Sequence, residues 1–156
     1  MIVSVRIRFA GGGLKIKIKK LVQEGVLCIL TETDKQFPTP ISEVTKIGSY
    51  SKKLSVNAYW AFAEKDGINC GIVAYYLNED KRQIYITYVF VYPEYRKQHV
   101  ASQILDYLSR TYDGDYKSMA LEVLKTNMAA FDFYRKRNFE IIEDRPETYL
   151  MQLSLS

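Results

Sequence analysis

The sequence predicts an α/β fold: a mixed, mostly antiparallel central sheet flanked by helices on both faces. Three observations carry that expectation. IYITYVFV, residues 84–91, is β-branched or aromatic throughout, as suits a strand buried on both faces. Just beyond it, Val100, Ile104 and Leu108 recur every fourth residue with Ala101 and Leu105 alongside, the stripe of a core-facing helix. Upstream, two apolar runs flank Lys65-Asp66-Gly67, a hairpin signal that makes neighbouring strands antiparallel. Antiparallel pairs early and strand–helix–strand units later give a mixed sheet covered on both sides.

In chain order, VSVRIRF and LKIKIK alternate apolar and basic residues around AGGG, which reads as a β-hairpin with cations on one face. No helix start or Lys-Ser/Thr follows Gly11, Gly12 and Gly13, so they are a turn and not a phosphate cradle. A helix is expected from Leu21 to about Phe37, burying Val22, Val26, Ile29 and Leu30, until FPTP breaks it. A second helix should cover Ile41 to Ile47, with GSYSKKLS a polar loop. Strands follow to Glu64, from Asn69 to Tyr76 and from Ile84. Pro93 ends the last of these, because it cannot donate to a ladder. The next helix should begin near Arg96 to His99, with Arg96 and Lys97 in its first turn. Cations there oppose the helix dipole unless an anion is expected. A strand delivering such a helix N-terminus is a phosphate-binding arrangement. A strand at Ser118 to Val123, a helix from Met128 and a closing strand pair, Phe139 to Glu143 and Thr148 to Ser154, complete the reading.

A length of 156 residues fits one domain, residues 1–156, able to bury about two-thirds of its unfolded surface. Net charge is +4, but residues 1–20 hold six of the 22 basic residues and no acid, leaving 16 basic against 18 acidic elsewhere. That arm could meet RNA, although an edge strand guarded by lysines is the simpler reading, and an exposed edge also permits a homodimer. No apolar run is long enough to cross a membrane and no leader is apparent. Cys28 and Cys70 therefore read as reduced, buried thiols of a cytoplasmic protein. A cysteine nucleophile would need a basic partner, and His99 is the sole histidine.

VYPEYRKQHVASQIL resembles the pyrophosphate loop of the GNAT superfamily of acyl-CoA N-acyltransferases, V-x-P-x-Y-R-x-x-G-x-G/A, through Val91, Pro93, Tyr95, Arg96 and Ala101. His99 stands at the first glycine; placed in the first helical turn it would have ordinary backbone angles, and the loop would keep its course. MALEVLKTNMAAFDFYRKRNFE resembles the next strand and helix of the same family, through Leu121, Val123, Asn127, Ala130, Tyr134, Lys136 and Phe139. Asn138 occupies its usual glycine position, where Asn is the common left-handed substitute. Together the two matches extend over about Tyr59 to Leu153.

The resemblance implies acetyl-CoA as cosubstrate, without a metal, and direct transfer of the acetyl group to an amine. The implied cofactor-binding residues are Val89, Phe90 and Val91 along the strand, Arg96, Lys97, Gln98, His99, Val100, Ala101 and Ser102 in the loop, and Asn127. Tyr134 matches the general acid that protonates the leaving thiolate; a core aromatic is its alternative. Asn127 opens the Tyr134 helix and is equally an N-cap. Glu122 is the first candidate for the base, as in the N-terminal alanine acetyltransferases of ribosomal proteins; a solvated strand glutamate is the alternative. Tyr85 and Thr87 face the same way along the preceding strand and could relay a proton. The expected acceptor is a small-molecule amine or, alternatively, a peptide N-terminus. A non-catalytic acyl-CoA-binding or nucleic-acid-associated module is the reading of another class.

Overall fold

The computed structural model describes residues 3–7, as backbone, and residues 14–155. The alternating segments form β1 (Val3–Ile7) and β2 (Leu14–Lys19), paired antiparallel as the period-two pattern requires. The turn expected at Gly11 to Gly13 lies outside the described residues. Helix α1 (Gln23–Thr33) buries Val26, Leu30 and Thr33, one stripe at helical spacing. Val22 is not on that stripe: it precedes the helix and is 72% exposed. Cys28 is exposed, also against expectation, since it lies off the buried stripe; Cys70 is buried, and both thiols are free.

Past the two prolines come α2 (Ile41–Val44) and α3 (Ile47–Asn57). Here the sequence reading fails, because the supposed polar loop is helical. Ile47, Tyr50 and Leu54 pack on the sheet, and Ser51 is buried among them with its hydroxyl donating to Gly48 O at 2.8 Å. A serine satisfied inside its own helix behaves as a core residue.

Strands β3 (Tyr59–Lys65), β4 (Ile68–Asn78) and β5 (Gln83–Val91) form an antiparallel meander. Asp66 and Gly67 both take positive φ, 54° and 79°, the two-residue turn that Asp-Gly favours. Then follow α4 (Val100–Thr111), β6 (Ser118–Leu124), α5 (Met128–Lys136), β7 (Glu140–Asp144) and β8 (Thr148–Ser154). The strands lie in the order β1-β2-β3-β4-β5-β6-β8-β7 in one sheet, with β5–β6 its parallel pair and the other pairs antiparallel. The expected mixed sheet, covered on both faces, is what forms.

Its two faces carry separate cores. Ile16, Val73, Tyr75, Ile84 and Ile86 join Ile104 and Leu108 of α4 and Tyr134 of α5. Trp60, Phe62, Ile72, Tyr88 and Phe90 join Val26 and Leu30 of α1 and Leu54 of α3. Each fully buried large apolar side chain contributes about 1.5–3 kcal/mol. β5 feeds both cores because its register slips: Ala74 faces Tyr88 but Tyr75 faces Ile86, which leaves Thr87 without a partner. Such a bulge sends the residues beyond it to the opposite face. So Ile84 and Ile86 enter the first core while Tyr88 and Phe90 enter the second.

Candidate active site

The parallel pairing of β5 with β6 is short. It runs from Gln83–Ser118 to Ile86–Leu121 and stops at the bulge residue. From Thr87 onward β5 therefore has a free edge. Tyr92 N donates to Cys70 O on β4 at 3.0 Å. Amides alternate sides along a strand, so Phe90 also turns toward β4, whereas Val89 and Val91 turn toward the gap. Of the three strand residues named from sequence, Val89 and Val91 thus offer amides to the gap. Phe90 offers its ring to the second core instead.

Beyond a short 3-10 turn at Pro93–Tyr95, Arg96 folds back, its Nε donating to Val91 O at 3.0 Å. Arg96 and Lys97 are not in a first helical turn, because α4 starts only at Val100. His99 is its N-cap and takes φ 61°, and Lys97 takes φ 60°. The expectation of ordinary backbone angles at His99 is therefore wrong. The chain must turn sharply between the 3-10 turn and α4, and two left-handed residues accomplish it. That conformation costs a non-glycine residue about 1–2 kcal/mol and accounts for a glycine preference there. The amides from Lys97 to Ser102 donate to no acceptor among the described residues. A left-handed residue followed by a helical one converges successive amides, an anion-binding concavity at the positive end of the helix. The loop is seated by contact: a Cβ built on Gly71 of β4 would lie 2.8 Å from Val100 Cγ1.

Tyr134 lies on the sheet face that α4 and α5 cover. Its ring packs edge-on against Phe133 and Phe139, in the core that Val89 and Val91 border. Its hydroxyl has no hydrogen-bond partner among the described residues, and burial pushes its pKa above the ordinary phenol value. A phenol so placed stays protonated at neutral pH and holds a proton to give. Asn127 caps the same helix, Oδ1 accepting from Ala130 N at 3.2 Å, so its structural role is real.

Glu122 lies on the other face. Oε1 accepts from Arg145 Nη1 at 2.6 Å and more weakly from Tyr85 Oη at 3.5 Å, and Oε2 accepts from Thr148 Oγ1 at 2.8 Å. Burial first, then the Glu122 carboxylate, pushes the Tyr85 phenol up to about 12. Tyr85 stacks on Tyr76, with ring centres 6.5 Å apart. Tyr50 of α3 bonds Thr87 Oγ1 at 2.7 Å, tying the helix to the bulge. Tyr85 and Thr87 do share a face, as expected. Tyr50 is not evident from sequence, because GSYSKKLS reads as a polar loop; Ile47, Tyr50 and Leu54 at helical spacing are the available signal. Arg145 had no local signal. Among the described residues, no group of His, Cys, Asp or Glu could hold a metal, and no helix is long and apolar enough to cross a membrane.

No protein of curated function matches the chain. Among solved structures, the fold is similar to a ribosomal-protein-alanine N-acetyltransferase from Escherichia coli, at 15% identity and TM-score 0.69, over 90% of this chain and 94% of that one. It is also similar to the PaiA N-acetyltransferase of Thermoplasma acidophilum in complex with coenzyme A, at 15% identity and TM-score 0.68, over 89% and 98%. An Arabidopsis thaliana protein bound to the bisubstrate analogue CoA-Ac-MVNAL aligns at 18% identity and TM-score 0.64, over 89% and 98%. At such identities these likenesses establish the fold. The model of the acetyltransferase (GNAT) family matches residues 28–139, from α1 to the end of the α5 cap. The protein is thus an acyltransferase belonging to the acetyltransferase (GNAT) family.

Proposed function

We propose that the protein is an acetyl-CoA-dependent N-acetyltransferase that transfers an acetyl group directly to a primary amine of a small molecule within a ternary complex. The observation that carries this reading is the gap beyond Ile86 and Leu121, with an unpaired strand edge, Tyr134 on one face and Glu122 on the other. The residues present fit the cosubstrate. A diphosphate matches the unaccepted amides of Lys97 to Ser102, with the Arg96 and Lys97 cations beside them. An amide-bearing pantetheine arm matches the Val89–Val91 edge as an added strand. When bound, acetyl-CoA would supply the activated acyl group, on a thioester.

The chain's own residues then divide the work. The amides at the free edge can polarise a carbonyl oxygen, an effect of about 3 kcal/mol per donor. Tyr134, kept neutral by burial, can donate a proton to the departing sulfur. On the opposite face Glu122 can accept the proton an ammonium must lose, directly or through water held by Tyr85 and Thr87. In balance, the ammonium gives one proton to Glu122, and the neutral nitrogen then bonds the acyl carbon as the carbon–sulfur bond breaks. Tyr134 gives its proton to sulfur, and the second proton lost by nitrogen restores the Tyr134 phenol. No credible nucleophile pair favours a covalent route: Cys70 is buried, its thiol pushed up by desolvation, and Cys28 stands alone on α1. A peptide N-terminus is the second reading, supported by the protein-directed activity of the Escherichia coli structural relative and the Glu122 position.

Two measurements test this together. CoA at about 100 times its Kd should raise Tm by roughly 5–10 °C. Tyr134→Phe should keep that shift and lower kcat about 100-fold or more. Unchanged transfer by Tyr134→Phe removes the general acid, and no CoA shift in the wild type removes the enzyme reading.

A further inference from the structure

We propose that Tyr50 is a positioning residue: by clamping Thr87 it fixes the angle at which the free edge of β5 presents its amides to the thioester carbonyl. This rests on the acetyltransferase reading above and adds a residue that touches none of the reacting groups.

Thr87 joins two lengths of β5 that are held differently. Residues 83–86 are paired on both sides, with β4 and β6, and Ile84 and Ile86 enter the first core. Residues 88–91 are paired with β4 alone, and Tyr88 and Phe90 enter the second core. Within β5, Thr87 alone has no partner on either neighbouring strand. The ladder fixes both flanks but not the residue between them, so the backbone at Thr87 sets how far the free edge swings from β6. The amides of Val89 and Val91 follow two and four residues on and carry any change of that angle. A displacement of about 1 Å can cost about 100-fold in rate when it reaches reacting groups.

Tyr50 grips that one residue twice. Its hydroxyl lies 3.0 Å from Thr87 O and 2.7 Å from Thr87 Oγ1. A carbonyl oxygen can only accept, so the single phenol proton goes to Thr87 O, and the Thr87 hydroxyl donates to Tyr50 Oη in return. Neither bond titrates near neutral pH, because burial pushes the Tyr50 phenol up to about 12 although the Thr87 bond draws it down. The helix that carries the clamp is itself seated. Ser51 and Leu54 are buried, and the Lys53 ammonium lies 5.6 Å from the ring centre of Tyr76 on β4. Tyr50 and Lys53, three residues apart, share one face of α3, which therefore bears on β4 and on the unpaired joint of β5 together. A tyrosine serving stability alone has no reason to spend both bonds on the residue where the two lengths of the strand meet.

The test reads the carbonyl directly and needs no amine. Infrared difference spectra of acetyl-CoA, isotope-labelled at its thioester carbonyl, would be recorded on the wild type, Tyr50→Phe, Thr87→Val and Ser51→Ala, with CoA-induced Tm shifts on the same proteins. On the wild type the carbonyl band should move to lower wavenumber than in buffer, as the edge amides polarise it. Tyr50→Phe should forfeit most of that displacement yet keep the CoA-induced Tm shift, since the loop before α4 is seated by Val100 against Gly71. Thr87→Val keeps the carbonyl to which Tyr50 donates and should retain more of the displacement. Ser51→Ala alters the same helix but not the clamp, and should leave the band where the wild type has it. A band unmoved by Tyr50→Phe, a larger loss in Thr87→Val, or an equal loss in Ser51→Ala would each overturn the proposal. So would a wild-type band at its buffer position, but if CoA still raises Tm there the acetyltransferase reading stands. No CoA shift in the wild type would instead sink that reading, and this one with it.

Discussion

Replacing Gly71 by Ala tests how the pyrophosphate-type loop is seated. A Cβ at this position would stand 2.8 Å from Val100 Cγ1, 3.4 Å from Phe90 O and 3.5 Å from Ile104 Cδ1. Carbon pairs rest at about 3.5–4.0 Å, so the Val100 contact is short by roughly 1 Å. Val100 cannot swing away cheaply, because a β-branched side chain in a helix has one strongly preferred rotamer. The first turn of α4 must therefore lift from β4. Overpacking of this kind costs about 1–3 kcal/mol, offset by about 0.5–1 kcal/mol for removing a strand glycine. The net cost is about 0–2.5 kcal/mol, so at about 2–4 °C per kcal/mol Tm should fall by up to roughly 10 °C. Because Val100 follows His99 directly, the same lift displaces the loop amides, and CoA should bind more weakly by calorimetry. Adding Val100→Ala should recover part of both losses, with a favourable coupling of about 0.5–3 kcal/mol. A Gly71→Ala protein that melts and binds CoA like the wild type would refute the close packing of α4 on β4, as would strict additivity in the double variant.

Two further outcomes follow from local structure. Asn127→Ala removes the acceptor for Ala130 N and should cost about 1 kcal/mol, or roughly 2–4 °C in Tm, whereas Asn127→Asp should retain most of it. Burial holds the Tyr50 and Tyr85 phenols at about 12 and also pushes up those of Tyr75, Tyr88 and Tyr134. Folded values above the unfolded value of about 10 mean that the neutral phenols contribute their full stability below that pH. That contribution is lost as pH rises through the folded values. Thermal melts should thus show no tyrosine-linked change from about pH 7 to 9.5, then a steep fall toward pH 12. A Tm that held level through pH 12 would contradict the burial of these rings.

What the sequence makes legible is what depends on neighbours in the chain. The Asp66-Gly67 turn, the four-residue recurrence in α4, the Asn127 cap and the left-handed Asn138, at φ 70°, are local choices, and each is written in adjacent residues. The misplaced features depend on partners far away. Helix α3 looked polar because Ser51 is buried by its own Gly48 bond and Tyr50 by reaching Thr87, 37 residues on. His99 looked like a residue of a first helical turn because composition does not report φ.

The bulges are the instructive case. Read at period two, IYITYVFV puts Ile86 and Tyr88 on one face, and no residue in the segment says otherwise. The slip at Thr87 exists only in relation to β4, and it sends Tyr88 and Phe90 to the second core. It also falls where pairing with β6 ends, at Ile86 and Leu121. The skipped residue 142 does the same at the other side of the site, turning Glu143 into line with Leu150 and Glu122. Pairing irregularities thus set which side chains of β5 enter which core and which residue of β7 faces Leu150, and a strand reading that assumes perfect alternation loses both features for one physical reason: side-chain facing in a sheet is a property of the pair, not of the strand.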